Sequence, residues 1–136
     1  MSLRRAASST ICAAPLAFLL AIAGCNQGPK AVTVTGTVLR DNQPITVSPT
    51  GVVQVTLMPD VGPNEQFTTY VGRCEATGKF EVVEVPVGTY KIGVEQLDPN
   101  PQVDKLGGEF SLINTKIKRQ VDGKSPLEID LARPDK

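Results

Sequence analysis

The chain has 136 residues, with 14 basic and 14 acidic residues and neither histidine nor tryptophan. A chain of this length forms one domain, and without a basic block it is a poor partner for nucleic acid. The lack of histidine removes the usual general base near neutral pH, the nucleophile pairs that depend on it, and the histidine-containing zinc and copper sites. Composition therefore favours a small module without these kinds of catalytic residue.

The first 25 residues have the pattern of a bacterial lipoprotein signal peptide. Arg4 and Arg5 form a positively charged start, and residues 11–23 are an apolar run interrupted only by Pro15. These 13 residues are too few to span roughly 30 Å of hydrocarbon as a helix, so we expect no permanent transmembrane anchor. The run closes on a lipobox made of Ile22, Ala23, Gly24 and Cys25.

Lipoprotein processing would then determine the mature N-terminus. The Cys25 thiol takes up a diacylglyceryl group, cleavage before Cys25 follows, and the new amino group is acylated. Several acyl chains, palmitate among them, exceed the marginal binding of a single chain, so we expect a stable anchor. The alternative is an ordinary secretory signal that happens to end near a cysteine. We predict residues 1–24 as the signal peptide and Cys25 as the lipidated residue.

Residues 25–30 are polar and turn-forming and are interpreted as a linker. At about 3.5 Å per residue, the stretch after Cys25 reaches roughly 17 Å at most, so the domain would be held close to the bilayer. Asn26 stands where proteins retained in the inner membrane commonly have Asp. This favours the outer membrane, facing the periplasm, as the location in the cell envelope.

Cys74 is the only thiol left for the mature domain, because Cys12 belongs to the leader and Cys25 would carry lipid. No internal disulfide can form, although the compartment is oxidising. Cys74 lies in an alternating segment and is interpreted as a packed or half-exposed side chain, with a reactive or intermolecular thiol as the alternative.

Hydropathy alternates with a period of two from residue 31 onward, and no segment has a helical stripe of useful length. Alternating β-branched residues fit half-buried strands, and turn-forming residues separate them. About seven short strands predict an all-β, antiparallel β-sandwich over residues 31–131, followed by a tail over 132–136. The predicted strands are 31–39, 52–58, 66–75, 79–83, 90–95, 116–121 and 127–131, with a turn and an extended restart over 41–45.

The same alternation predicts which side chains are buried, because a period of two places neighbouring residues on opposite faces. We expect Phe80, Tyr90, Ile92 and Val94 on one inner face, with Lys91 and Glu95 outside.

Residues 97–114 are too long and irregular for a hairpin and are interpreted as a contact loop. Disorder, or a plain crossover between the sheets, is the alternative. Asp98, Asn100 and Asp104 carry oxygen ligands at spaced positions, which superficially resembles a calcium loop. Two intervening prolines and the missing glycine and terminal Glu of an EF-hand argue against that interpretation. The candidate contact residues are Asp98, Asn100, Asp104 and Phe110.

Four motifs give the chain a resemblance to a known family. They are Val34-Thr35-Gly36-Thr37-Val38, the turn from Asp41 to Ile45, Thr77-Gly78-Lys79-Phe80, and the stretch from Val85 to Ile92. Together they resemble the carboxypeptidase regulatory-like domain over residues 31–96. The resemblance implies a transthyretin-like β-sandwich and no peptidase chemistry. The chain departs from the family pattern at Glu75, where Asp is usual, and in the longer segment over residues 46–51.

No constellation for chemistry stands out. The carboxylates at Glu75, Glu81, Glu84 and Glu95 alternate with apolar neighbours and are interpreted as a solvated face. Tyr70 is the one aromatic predicted to offer an exposed platform to a sugar. We expect no catalytic residue, no metal site and no cofactor. The favoured function is a lipid-anchored structural or protein-interaction module with an envelope protein as partner, and the alternative is a ligand-binding module for a glycan or a calcium ion.

Overall fold

Eight β-strands make up the regular structure of the part of the chain that the computed structural model describes, residues 28–62 and 65–135. The predicted signal peptide, the lipobox and Cys25 lie outside these residues. The strands are β1 (Ala31–Arg40), β2 (Gln43–Pro44), β3 (Val52–Pro59), β4 (Tyr70–Arg73), β5 (Lys79–Pro86), β6 (Gly88–Leu97), β7 (Lys118–Val121) and β8 (Leu127–Asp130).

The strands form two four-stranded sheets packed as a sandwich, which confirms the all-β prediction. In the first sheet β1 is central, with β5 on one side, β8 on the other, and β2 paired to its end. The second sheet has the order β4-β3-β6-β7. Every pairing is antiparallel except that of β8, which runs parallel to β1. The prediction of an antiparallel sandwich of about seven strands is thus confirmed in outline, with eight strands and one parallel pairing that the sequence did not predict.

The parallel pairing arises because β7 and β8 belong to different sheets. Val121 ends β7 opposite Gly88 of the second sheet, whereas Leu127 begins β8 opposite Gly36 of the first. The Asp122 carboxylate accepts hydrogen bonds from the backbone N–H groups of Lys124 (2.8 Å) and Ser125 (3.2 Å), which shapes the crossing. A hairpin within one sheet always reverses the direction of the chain, whereas a connection that crosses between two sheets can leave the next strand parallel to its neighbour.

Two predicted strands are shorter in the structure by two or more residues. The predicted strand over residues 66–75 is strand only at Tyr70–Arg73, the residues that pair in register with β3. The strand predicted at 116–121 begins at Lys118. Alternation in the sequence continues beyond the residues that pair in register with a neighbouring strand.

The core lies between the two inner faces. Phe80, Tyr90, Ile92 and Val94 are all buried as predicted. Phe80 comes from the first sheet and the other three from the second, so they meet across the core rather than sharing one face. Lys91 and Glu95 are half-buried on the outer side.

A β-bulge lets β5 change the face it presents. Its pairing with β1 shifts register so that Val83 and Glu84 together stand opposite Thr33. Glu84 takes a positive φ of 57° and is exposed, while Val82 and Val85 on either side are both buried. Strict alternation would turn Val85 outward, and the inserted residue restores it to the core.

Candidate functional site

Asp104 organises the long segment predicted as a contact loop. Its Oδ1 accepts hydrogen bonds from the backbone N–H groups of Gln96 and Leu106, both at 3.0 Å, and its Oδ2 accepts one from Gly108 at 2.8 Å. Asn114 adds a further bond, since its side-chain amide donates to the Gly108 carbonyl at 2.8 Å. A carboxylate that accepts three backbone N–H groups holds a series of turns in place.

The segment covers the side of β6 that β7 leaves unpaired. Beyond Lys91, the last residue of β6 that pairs with β7, the N–H groups of Ile92 and Val94 donate to the carbonyls of Ile117 (2.9 Å) and Phe110 (2.8 Å). Leu106 and Phe110 are buried members of the core. Phe110, a candidate contact residue, is thus an internal side chain in this structure, and the segment supplies part of the sandwich's packing.

Asp98 and Asn100 lie at the far end of the same segment. Asp98 accepts hydrogen bonds from both the backbone N–H (2.8 Å) and the hydroxyl (2.5 Å) of Ser48. The Ser48 hydroxyl, then its backbone amide, hold the pKa of Asp98 below its usual range. Asn100 is exposed, and its backbone N–H donates to the Thr50 carbonyl at 3.1 Å.

These contacts bear on the calcium alternative. The carboxylates of Asp98 and Asp104 already accept protein N–H and O–H groups. Across the described residues, no three or more His, Cys, Asp or Glu side chains are grouped so that they could hold a metal ion. The carboxylate oxygens of Asp98 and Asp104 are therefore engaged in building the loop.

The exposed aromatic side chain is Phe67 rather than Tyr70. Tyr70 is half-buried and packs edge-on against Tyr90, with ring centroids 6.1 Å apart and planes at 77°. Phe67 is 52% exposed and lines a hollow of about 390 Å³ together with Pro59, Val61 and Tyr70. The sequence carried no signal for this difference, because both residues fall in the segment that alternated as a strand.

A larger open groove of about 530 Å³ lies on the outer face of the first sheet. Its floor is made by two cross-strand pairs of β1 and β5, Thr35 with Glu81 and Thr37 with Lys79. Gly36 lies between the two threonines, and both charge signs are present around the groove. The remaining lining residues are Arg73, Glu75, Phe80 and Pro126. The sequence did not predict any of the residues that line this groove as binding residues. The only signal for them was the alternation of threonines and charged residues, which indicates an outward-facing side of the sheet.

The expected solvated carboxylates are at the surface. Glu75, Glu81 and Glu84 are exposed and Glu95 is half-buried. Glu81 and Glu75 border the groove on opposite sides of a turn.

Cys74 packs against the core, and its backbone forms an isolated antiparallel β-bridge with Phe80. It is half-buried, as the sequence predicted. Burial raises the pKa of its thiol to about 12, which disfavours the reactive thiolate.

The described residues contain no helix long and apolar enough to cross a bilayer. Comparison with known proteins found no matching family model, no matching curated protein and no matching solved structure.

Proposed function

We propose that the protein is a lipid-anchored lipoprotein of the bacterial cell envelope whose β-sandwich is a non-catalytic structural or protein-interaction module. The observation that carries the proposal is the lipobox, Ile22 to Cys25, at the end of an apolar leader. The arrangement of the described residues is consistent with it, since their first strand starts at Ala31, a few residues after the cysteine in the sequence. The partner would be another envelope protein, and lipid on Cys25 would provide the contact with the membrane.

Metabolic labelling with a palmitate analogue tests the anchor. Cys25→Ala should abolish labelling and leave the leader uncleaved by the lipoprotein route. Cys12→Ala and Cys74→Ala are matched controls, because each removes a thiol elsewhere in the chain, and both should label like the wild type. Unchanged labelling of the Cys25→Ala variant would contradict the proposal.

The membrane that receives the anchor is proposed to be the outer membrane, because Asn26 replaces the Asp that commonly retains lipoproteins in the inner membrane. Density-gradient separation of the two membranes tests this proposal. Asn26→Asp should move the protein to the inner-membrane fraction, whereas Gln27→Glu, which adds the same charge one residue later, should not. Wild-type protein found in the inner fraction would contradict it.

We also propose that the sandwich is of the carboxypeptidase regulatory-like, transthyretin-like type. Residues of the motifs that carried the resemblance have specific roles in the fold. Gly78 closes the turn before β5 with φ 74° and donates its N–H to the Glu75 carbonyl at 2.9 Å. The Tyr90 hydroxyl donates to the Pro86 carbonyl at 2.7 Å, which pins the β5–β6 corner. An experimental structure with a different strand order would contradict this classification.

The groove on the first sheet favours a second candidate, a module that binds a small polar ligand such as a glycan. Its threonine hydroxyls and its Arg73, Lys79 and Glu81 side chains are hydrogen-bonding groups suited to sugar hydroxyls. A thermal-shift screen tests it, because a ligand that binds only the folded state raises the melting temperature. A glycan that shifts the wild type but not Lys79→Ala, while still shifting the distant Lys105→Ala control, would support the second candidate over the first.

A further inference from the structure

The chain enters the sandwich at one defined end. The Val87 N–H donates to the Lys30 carbonyl at 3.0 Å, and Ala31 pairs with Pro86. The linker that follows Cys25 therefore emerges beside the β5–β6 corner. We call this end of the sandwich, formed by residues 30–31 and 86–89, the tether end.

Exposed apolar side chains are found at the tether end. The end of β3 is bonded there, since Asp60 donates its N–H to the Thr89 carbonyl at 2.9 Å. Val61 follows directly and is 40% exposed, and Phe67 lines the same hollow with 52% exposure. Val87, in the corner itself, is 41% exposed. Valine and phenylalanine side chains left in water carry an unfavourable hydration free energy that a lipid surface would remove.

Linker length limits what this end can face. If Cys25 is lipidated, the linker reaches roughly 17 Å at most, which is shorter than the long axis of the sandwich. Strand β1 has ten residues and extends over roughly 33 Å at the usual rise of about 3.3 Å per residue. The bilayer is thus within reach of the tether end. The far end, where Leu97 and Asp104 form an isolated β-bridge, can lie well away from the bilayer.

We propose that the tether end rests on the bilayer, with Phe67, Val61 and Val87 in its interfacial layer. This inference rests on the proposed lipidation of Cys25. It assigns the sandwich an orientation in which the 98–103 segment and the Asp41-Asn42 turn project away from the membrane. The exposed side chains of Phe67, Val61 and Val87 would contact lipid, because the bilayer is the partner that the tether brings to this end of the sandwich.

Single tryptophans test the orientation, since the chain has none of its own. The mature lipidated protein would carry either Phe67→Trp at the tether end or Val103→Trp at the far end, where Val103 is 44% exposed. Each variant would be reconstituted into phosphatidylethanolamine–phosphatidylglycerol vesicles with and without brominated acyl chains. We expect brominated lipid to quench Phe67→Trp and membranes to shift its emission to the blue, while Val103→Trp emits as it does in water.

Vesicle flotation separates the two levels of the proposal. If the wild-type lipidated protein does not float with vesicles, the anchor itself fails. If it floats and Phe67→Trp escapes quenching, or Val103→Trp is quenched equally, the orientation is overturned and a protein contact for the patch becomes the better explanation. Circular dichroism checks each variant, and Val61→Trp replaces Phe67→Trp if that variant does not fold.

Discussion

The ring of Phe80 occupies the space that a side chain at Gly36 would need. The two residues are cross-strand partners on β1 and β5, and a Cβ at Gly36 would lie 2.4 Å from Phe80 Cζ and 2.5 Å from the Leu127 carbonyl oxygen. Gly36 therefore admits the aromatic ring on one side and the parallel strand β8 on the other. An aromatic ring that covers a strand glycine is a recognised way of fixing register in a sheet.

Gly36→Ala should lower the free energy of unfolding by about 1–3 kcal/mol, because neither the ring nor the backbone carbonyl has room to move. Denaturant unfolding of the mature domain without its lipidated cysteine measures this. Gly28→Ala is the control, since a Cβ at Gly28 meets no atom within 4 Å. Equal midpoints for the two variants would mean that Phe80 is not packed on Gly36.

The Tyr90 hydroxyl bond should be separable from the packing of its ring. Tyr90→Phe removes only the hydrogen bond to Pro86 and should cost about 1 kcal/mol, whereas Tyr90→Ala also removes the buried ring and should cost about 3–5 kcal/mol, as should Phe80→Ala. Burial, and then the neighbouring Tyr70, raise the pKa of Tyr90. The unfolded chain thus loses this proton first, so stability should fall as pH rises above about 10, and Tyr90→Phe should flatten that fall. If the free energy of unfolding fell with pH in the same way for Tyr90→Phe and the wild type, the Tyr90 hydroxyl would not be the titrating group.

The C-terminal residues are latched to the first sheet through Asp130. Arg133 donates to Asp130 Oδ2 at 2.7 Å through Nη2, and the same nitrogen contacts the Asn42 side chain. The Arg133 hydrogen bond holds the pKa of Asp130 below its usual range. The resulting stability is present above the unfolded pKa of about 3.9 and is lost as pH falls through the lower folded pKa.

Asp130→Asn should therefore destabilise the domain at neutral pH, and its difference from the wild type should shrink in acid. Thermal unfolding between neutral pH and about pH 2 checks both points, in the range where such a carboxylate protonates. Glu128→Gln is the matched control, since Glu128 is an exposed acid on the same strand. A pH-independent difference for Asp130→Asn would show that the charge of Asp130 is not what matters.

We expect Asp104 to contribute to the stability of the domain rather than to contacts with a partner. Asp104→Ala removes the acceptor for three backbone N–H groups and should cost at least about 2 kcal/mol. Asn100→Ala, in the same segment but with an exposed side chain, should change stability little. Hydrogen exchange would localise the effect, because the amides of Gln96, Leu106 and Gly108 should lose protection. Unchanged exchange at these amides would return the segment to the role of a loose contact loop.

Cys74 should react slowly while the domain is folded. Its pKa of about 12 leaves little thiolate at neutral pH. In a mature domain that begins after Cys25 it is the sole thiol, so a disulfide reagent reports on it alone. We expect slow modification in buffer and fast modification in denaturant. Equal rates in the two conditions would mean that the thiol is accessible and the burial is wrong.

The sequence alone was sufficient for features that depend on neighbours along the chain. Val–Thr alternation over residues 31–39 predicted β1 to within a residue, and Thr77-Gly78 predicted the turn before Lys79. These features follow from side-chain periodicity and from the φ that glycine tolerates, which are local properties. The lipobox is likewise a local pattern, and Cys25 lies outside the described residues.

Features that depend on partners distant in the chain were settled only by the tertiary structure. Val85 faces the core because β5 bulges at Glu84, and β8 runs parallel to β1 because β7 ends in the other sheet. Phe110 is buried because β6 has an unpaired side that its segment covers, while Phe67, in a stretch predicted as a strand, stays exposed. Periodicity tells which residues can share a face, but a face is buried only if another part of the chain folds over it, and that depends on contacts far apart in sequence.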